Sequence, residues 1–119
     1  MWPARLSGKQ RQGQAWEQRA LAHLQRHGLC LVEANFHCKC GEIDLILRDG
    51  DEIVFVEVRQ RAGKSCGTAA ASITPAKIRR VTRAAQFWLM RFPRMPPCRI
   101  DVVAIDGDSL EWLKGAIDV

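Results

Sequence analysis

The chain predicts a single-domain α/β sandwich around a mixed sheet, with elements in the order α-β-β-β-α-β. Three observations carry that reading. Two stretches with helical apolar periodicity bracket a series of strand-like runs. An Asp-Gly-Asp turn joins two of those runs. The 119 residues, 47% of them hydrophobic, suffice for one ordinary core and not for two. Residues 1–7 read as a loose N-terminal arm and residues 8–119 as the domain. The longest apolar run is about half a dozen residues, far short of the roughly 20 that cross a bilayer, so no membrane span is expected.

The first helix is expected from about Gln10 to His27, closed by Gly28, a residue that accepts the left-handed conformation of a helix C′ position. A turn of about 100° per residue puts Trp16, Ala20, Leu21 and Leu24 on one arc. Glu17 falls inside that arc. A carboxylate there costs free energy unless it meets a donor, a cation or a metal, so Glu17 is either a rim residue turned to solvent or an acid with a task. Strand-like runs follow at Cys30 to Phe36, Glu42 to Arg48 and Glu52 to Arg59, the last two joined through Asp49-Gly50-Asp51 as an antiparallel hairpin. In the third run apolar residues occupy both alternating sets, Val54, Val56, Val58 and Ile53, Phe55, which predicts a central strand covered on both faces. An even-numbered hairpin loop brings Glu42 and Asp44 to the same face as Glu57 and Arg59.

Residues Gln60 to Ile73 read as a loop, long for so small a domain and of the kind that forms lids or binding segments. Thr74-Pro75 then starts a second helix, with Thr as N-cap and Pro at N1, running to about Phe92. Its core face is Ile78, Val81, Ala85, Trp88 and Phe92, with Arg79, Arg80, Arg83 and Arg91 opposite. Trp88 reads as core, not as a base-stacking platform. Arg99 to Ile105 is a last strand, and Asp106-Gly107-Asp108 turns the chain into a short C-terminal segment.

The net charge of +5 conceals where the charges lie: Val58 to Arg99 holds ten Lys or Arg and no Asp or Glu, leaving eight basic and thirteen acidic residues elsewhere. Such a segment is either a solvated cationic surface or a phosphate-binding face, since a dense positive field attracts a polyanion and releases its counterions on contact. Arg61, Lys64, Lys77, Arg79, Arg80 and Arg83 are the candidate nucleic-acid contacts, with DNA the expected partner. The five cysteines are odd in number and lack CxxC pairs, which disfavours a disulfide framework or structural zinc. His37-Cys38-Lys39-Cys40 is the only metal-like cluster, and adjacent residues of a strand point to opposite faces. The polar, basic first fourteen residues lack the apolar stretch of a secretory signal, so a cytoplasmic location is expected.

Mg²⁺ takes oxygen ligands and is usually held by one or two protein carboxylates plus substrate phosphates. Asp44 and Glu57 on neighbouring strands suit it. A cation there activates water and stabilises charge on a phosphodiester, and Arg59, two residues beyond Glu57, is placed to neutralise phosphate. By spacing alone the same residues also make a surface salt bridge.

Gly41-Glu42-Ile43-Asp44-Leu45-Ile46 followed by Val54-Phe55-Val56-Glu57-Val58-Arg59-Gln60-Arg61 resembles the signature of the YraN family of small bacterial proteins. Gly13 and Glu17, Asn35-Phe36, Lys77 and Arg99-Ile100-Asp101-Val102-Val103 are similar to its other marks. The resemblance implies a restriction-endonuclease-like fold related to Holliday-junction resolvases. It further implies Asp44 and Glu57 as metal-binding acids, Glu17 as a helix-borne acid, an active-site lysine at position 59, and a homodimer. Position 59 is Arg, permanently charged and unable to accept a proton, so general-base chemistry there is excluded while phosphate clamping is not. The expected function is a Mg²⁺- or Mn²⁺-dependent endonuclease or resolvase-like protein acting on structured DNA. The alternative is a catalytically weak or inactive nucleic-acid-binding accessory module with the same fold.

Overall fold

The computed structural model describes residues 8–61 and 73–119, so the N-terminal arm and nearly all of the expected loop lie outside the described residues. The elements are α1 (Gly8–Arg26), β1 (Cys30–Cys38), β2 (Gly41–Asp49), β3 (Glu52–Arg61), α2 (Pro75–Leu89), β4 (Cys98–Asp106) and β5 (Ser109–Ile117). The strands form one sheet in the order β1-β2-β3-β4-β5, with β3 and β4 parallel and the other neighbours antiparallel. β3 is the middle strand, as its two apolar faces require. No helix among the described residues is long and apolar enough to cross a membrane.

The two helices cover opposite faces of the sheet. Ala20, Leu21 and Leu24 of α1 pack with Leu45, Leu47, Val54, Val56, Val103 and Ile105, while Val81, Ala84, Ala85, Trp88 and Leu89 of α2 pack with Ile43, Ile46, Phe55 and Ile100. Trp88 is core as expected: its ring meets Phe55 edge-on at 5.7 Å and its indole N–H donates to Glu33 Oε1 at 3.0 Å. α2 begins as the sequence dictates, the Thr74 hydroxyl accepting from the Lys77 N–H at 3.1 Å. It ends earlier than expected, at Leu89, because the residue before Pro93 is disfavoured in helical conformation. Phe92 therefore packs on the core from beyond the helix, Ile78 is 37% exposed, and Ala84 and Leu89 complete the buried stripe.

The short C-terminal segment expected after the Asp106-Gly107-Asp108 turn is a fifth strand. Its alternation is masked because it is an edge strand, mostly exposed, and carries Gly115 at φ +61° beside a register shift opposite Ile100 and Val102. Buried Asp101 secures it, accepting from the Trp112 indole N–H at 2.9 Å, the Gly115 N–H at 2.8 Å and Arg99 Nε at 3.0 Å. Arg99 reaches on to Glu52 Oε1 at 2.6 Å and Asp49 Oδ2 at 3.3 Å, tying β4 and β5 to the hairpin.

Local features shape both ends of β2. Asp49 pairs with Glu52, so Gly50-Asp51 is a two-residue turn, with Gly50 at φ +62°. Farther along β2 the alternation of faces breaks: Leu45 and Leu47 face α1, whereas Ile43, two residues earlier, faces α2. On β1 the same exchange occurs between Ala34 and Phe36, across Asn35 at φ +56°, a left-handed conformation that Asn tolerates. Gly41 opens β2 directly beneath α2, where any Cβ would collide with the Arg80 carbonyl.

Asp101→Ala is expected to lower stability by roughly 3 kcal/mol, because the indole and Gly115 N–H groups lose a buried acceptor and Arg99 loses one of its carboxylates. Urea denaturation checks this as a drop in midpoint with little change in slope.

Candidate functional site

The site forms where β2 and β3 part. Their ladder ends with the Leu45–Val56 pair, and beyond it the next N–H available on β3, that of Val58, is taken at 2.8 Å by Asp44 Oδ2. The side chain thus replaces a ladder bond and fixes the carboxylate over β3. Glu57, one residue past the last pair, is 1% exposed. Glu57 Oε1 is buried and accepts no hydrogen bond among the described residues. Glu57 Oε2 faces Lys77 Nζ at 3.5 Å and Arg59 Nη1 at 3.9 Å.

Both helices contribute charged side chains to this end of the sheet. α1 brings Glu17, half-buried and close enough to Asp44 for the two carboxyls to influence one another. α2 brings Lys77, at N3 of the helix that Thr74 and Pro75 begin, where side chains lean back toward the N-terminus. Lys77 Nζ also lies 3.8 Å from Glu42 Oε1. Arg80, one turn on, meets the same Glu42 oxygen at 3.1 Å, and His37 Nδ1 is 3.6 Å from its other oxygen.

Burial dominates the electrostatics. It pushes the Glu57 carboxyl up to about 8, with the negative charge of Asp44 adding to the shift and Lys77 and Arg59 opposing it. Glu17 is likewise raised to about 8, first by burial and then by Asp44. Asp44 is raised by burial, against the pull of the Val58 N–H and Lys77. Three carboxyl groups so placed do not all ionise near neutrality unless a cation joins them.

Asp44 and Glu57 fit a hard divalent cation: both are oxygen donors, their carboxyls are near enough to interact, and Glu57 Oε1 is buried with no protein donor to it among the described residues. Among the described residues no group of three or more His, Cys, Asp or Glu side chains forms a complete cage. The pair therefore matches the use of one or two carboxylates, with the remaining coordination left to water and phosphate.

Of the residues expected to form a site, Glu17, Asp44, Glu57 and Arg59 come together. Lys77, expected among the nucleic-acid contacts, lies inside the acidic cluster and closer to Glu57 than Arg59 does. Its N3 position was readable from Thr74-Pro75, but not the packing of that turn over β2 and β3. Arg80 is engaged with Glu42, and Arg79 and Arg83 are exposed on α2. Lys64 and the side chain of Arg61 lie outside the described residues. Hairpin register places Glu42 beside the acids but does not disclose that it holds Lys77 and Arg80.

The model of Uncharacterised protein family UPF0102 matches residues 16–105, a span that contains every residue of this cluster. A UPF0102 protein of Cupriavidus metallidurans is 58% identical over 119 residues, covering 98% of this chain and 89% of its own. A second, from Herminiimonas arsenicoxydans, is 55% identical over 106 residues, 89% of this chain and 86% of its own. A third, from an Acidovorax species, is 56% identical over 110 residues, 89% of this chain and 83% of its own. With the family model spanning most of the domain and relatives this similar along nearly its whole length, the chain belongs to the UPF0102 (YraN) family.

Proposed function

We propose that the protein is a divalent-cation-dependent endonuclease of the resolvase type, acting on structured DNA, with Asp44 and Glu57 holding Mg²⁺ or Mn²⁺. The observation that carries this reading is the buried, unpartnered Glu57 Oε1 beside the Asp44 carboxyl, in a cluster whose burial disfavours bare negative charge. The resemblance to restriction-endonuclease-like proteins supports the same assignment. When bound, such a cation supplies Lewis-acid stabilisation of the phosphate and a more acidic water.

The chain's own groups have separable tasks. Lys77 and Arg59 flank Glu57 and balance its charge, and either can neutralise a phosphate brought to the acids. Without a cation at Asp44, Glu17 is raised to about 8 and holds a proton on its carboxyl near neutrality, the state from which it would act as a proton donor. Arg79, Arg80 and Arg83 extend positive charge along α2 from the cluster, suited to a nucleic-acid backbone. The accessory reading rests on Arg59, which cannot accept a proton.

Mn²⁺ titration followed by the electron-spin-resonance signal of the free ion is expected to show binding that Asp44→Ala and Glu57→Gln each weaken by at least about tenfold. Cleavage of a four-way DNA junction with Mg²⁺ or Mn²⁺ should disappear in Asp44→Ala while affinity for the uncut junction is largely kept, and Arg59→Lys should raise the rate. A wild-type protein that cuts no DNA or RNA form with either ion selects the accessory reading.

DNA affinity measured between low and moderate salt should fall steeply. The log–log slope should shrink by about 0.9 for each phosphate that Arg79→Ala or Arg83→Ala leaves unneutralised. An association insensitive to salt would contradict a phosphate-binding α2.

The raised carboxyls also set a pH dependence. Glu17 and Glu57 titrate near 4.5 in the unfolded chain and near 8 in the fold, so the fold binds more protons between those values. Their contribution is fully present below pH 4.5 and is lost as pH rises through 8. Urea midpoints of the metal-free protein should accordingly fall between pH 5 and pH 8 on account of these groups. Glu57→Gln should flatten the fall, and Mn²⁺ should restore stability at pH 8 in the wild type only. A wild-type midpoint that declines no more than that of Glu57→Gln would contradict it.

A further inference from the structure

The β1–β2 turn holds two thiols against one another, apart from the acidic cluster. Cys38 closes β1 and Cys40 directly precedes Gly41, and their Sγ atoms lie 3.1 Å apart and share a hydrogen bond. The turn is fixed from both sides. Cys38 pairs with Gly41 across it, and Gly41 is pressed against the Arg80 carbonyl so closely that no side chain fits. Both thiols are only half-buried, so a small oxidant reaches them.

The two sulfurs are not equivalent. Burial opposes ionisation of Cys38, but hydrogen bonds from the Cys40 thiol and from the backbone N–H groups of Cys40 and Gly41 outweigh it, and the Cys38 thiol titrates below its usual range. The Cys40 thiol is raised, first by its hydrogen bond to Cys38. Cys38 is therefore equipped as the attacking sulfur and Cys40 as the one that resolves. Cys98, half-buried, is pushed up by burial and by Glu52 and lacks such a neighbour among the described residues.

We propose that Cys38 and Cys40 form a redox-active dithiol that a hydroperoxide oxidises to an intramolecular disulfide. The Cys38 thiolate attacks the O–O bond and takes one oxygen as sulfenic acid, and the other oxygen leaves as hydroxide and is protonated to water. The Cys40 thiolate then attacks the sulfenic sulfur, forms the S–S bond and displaces the second oxygen, also released as water. Two thiols and one hydrogen peroxide become one disulfide and two waters. Closure needs the sulfurs to approach by about 1 Å, to a bond of about 2.0 Å.

The test uses the full-length reduced protein and equimolar hydrogen peroxide, quenched in acid and alkylated before digestion. Trypsin cuts after Arg26 and Lys39, so Cys30 and Cys38 share one peptide and Cys40 begins the next; these two peptides joined, with Cys30 alkylated, report the Cys38–Cys40 bond. The linked pair should form before Cys30 or Cys98 reacts. In Cys40→Ser, a dimedone adduct should accumulate on Cys38, at least about tenfold faster than on Cys40 in Cys38→Ser. Oxidation of Cys30 or Cys98 ahead of the pair, or progress of Cys38 to sulfinic acid with Cys40 still reduced, would overturn the proposal. Equal labelling of the two variants would overturn the assigned roles.

Discussion

The hydrogen bond from the Val58 N–H to Asp44 Oδ2 organises this end of the molecule. An antiparallel hairpin carried two residues further would have satisfied that N–H with a backbone carbonyl and left the Asp44 side chain to its own face. Instead the backbones part after Leu45 and Val56, and the carboxylate spans the gap. The parting is prepared in β1 and β2, where the exchange of faces around Asn35 and Asp44 lets Ile43 join the α2-side core while Leu45 stays on the α1 side. A half-buried donor and a half-buried carboxylate satisfy one another, and the carboxyls of Glu17 and Glu57 gather around the result.

Charge balance around the gap is unequal. Glu42, at the open end of β2, accepts Lys77 and Arg80, whereas Glu57, deeper in, meets Lys77 and Arg59 with one oxygen and has Asp44 as its acidic neighbour. Burial makes the inner acid the harder one to ionise: the Glu57 carboxyl is raised to about 8 and holds a proton near neutrality. Lys77 gives the cluster a lysine where position 59 offers only an arginine, and it arrives from a different element at shorter range.

Most of the architecture was legible in local chemistry. Thr74-Pro75 set the start of α2, Gly50 the hairpin turn, and the double apolar alternation of residues 53–58 the central place of β3. The convergence of Glu42, Asp44, Glu57 and Arg59 was expected from hairpin register, but the parting of β2 and β3 beyond Leu45 and Val56, which carries Asp44 to the Val58 N–H, was not. What local pattern could not carry was long-range or irregular. β5 is an edge strand interrupted by Gly115 and secured by Asp101, a residue far away in sequence. The end of α2 depended on Pro93 and not on the periodicity that continued to Phe92. Lys77 joined the acids only because α2 packs across β2, a packing that the tight fit of Gly41 under Arg80 records but the Gly-Glu-Ile-Asp run does not announce.

The most direct test of a cation held between the strands is anomalous diffraction from crystals of the protein soaked in MnCl₂ at pH 8, where the Glu17 and Glu57 carboxyls are about half ionised before any cation binds. A single strong peak in direct contact with Asp44 and with the otherwise unpartnered oxygen of Glu57 is the expected result. Density showing that oxygen bonded to a protein donor, with no manganese at the parting of β2 and β3, would contradict it.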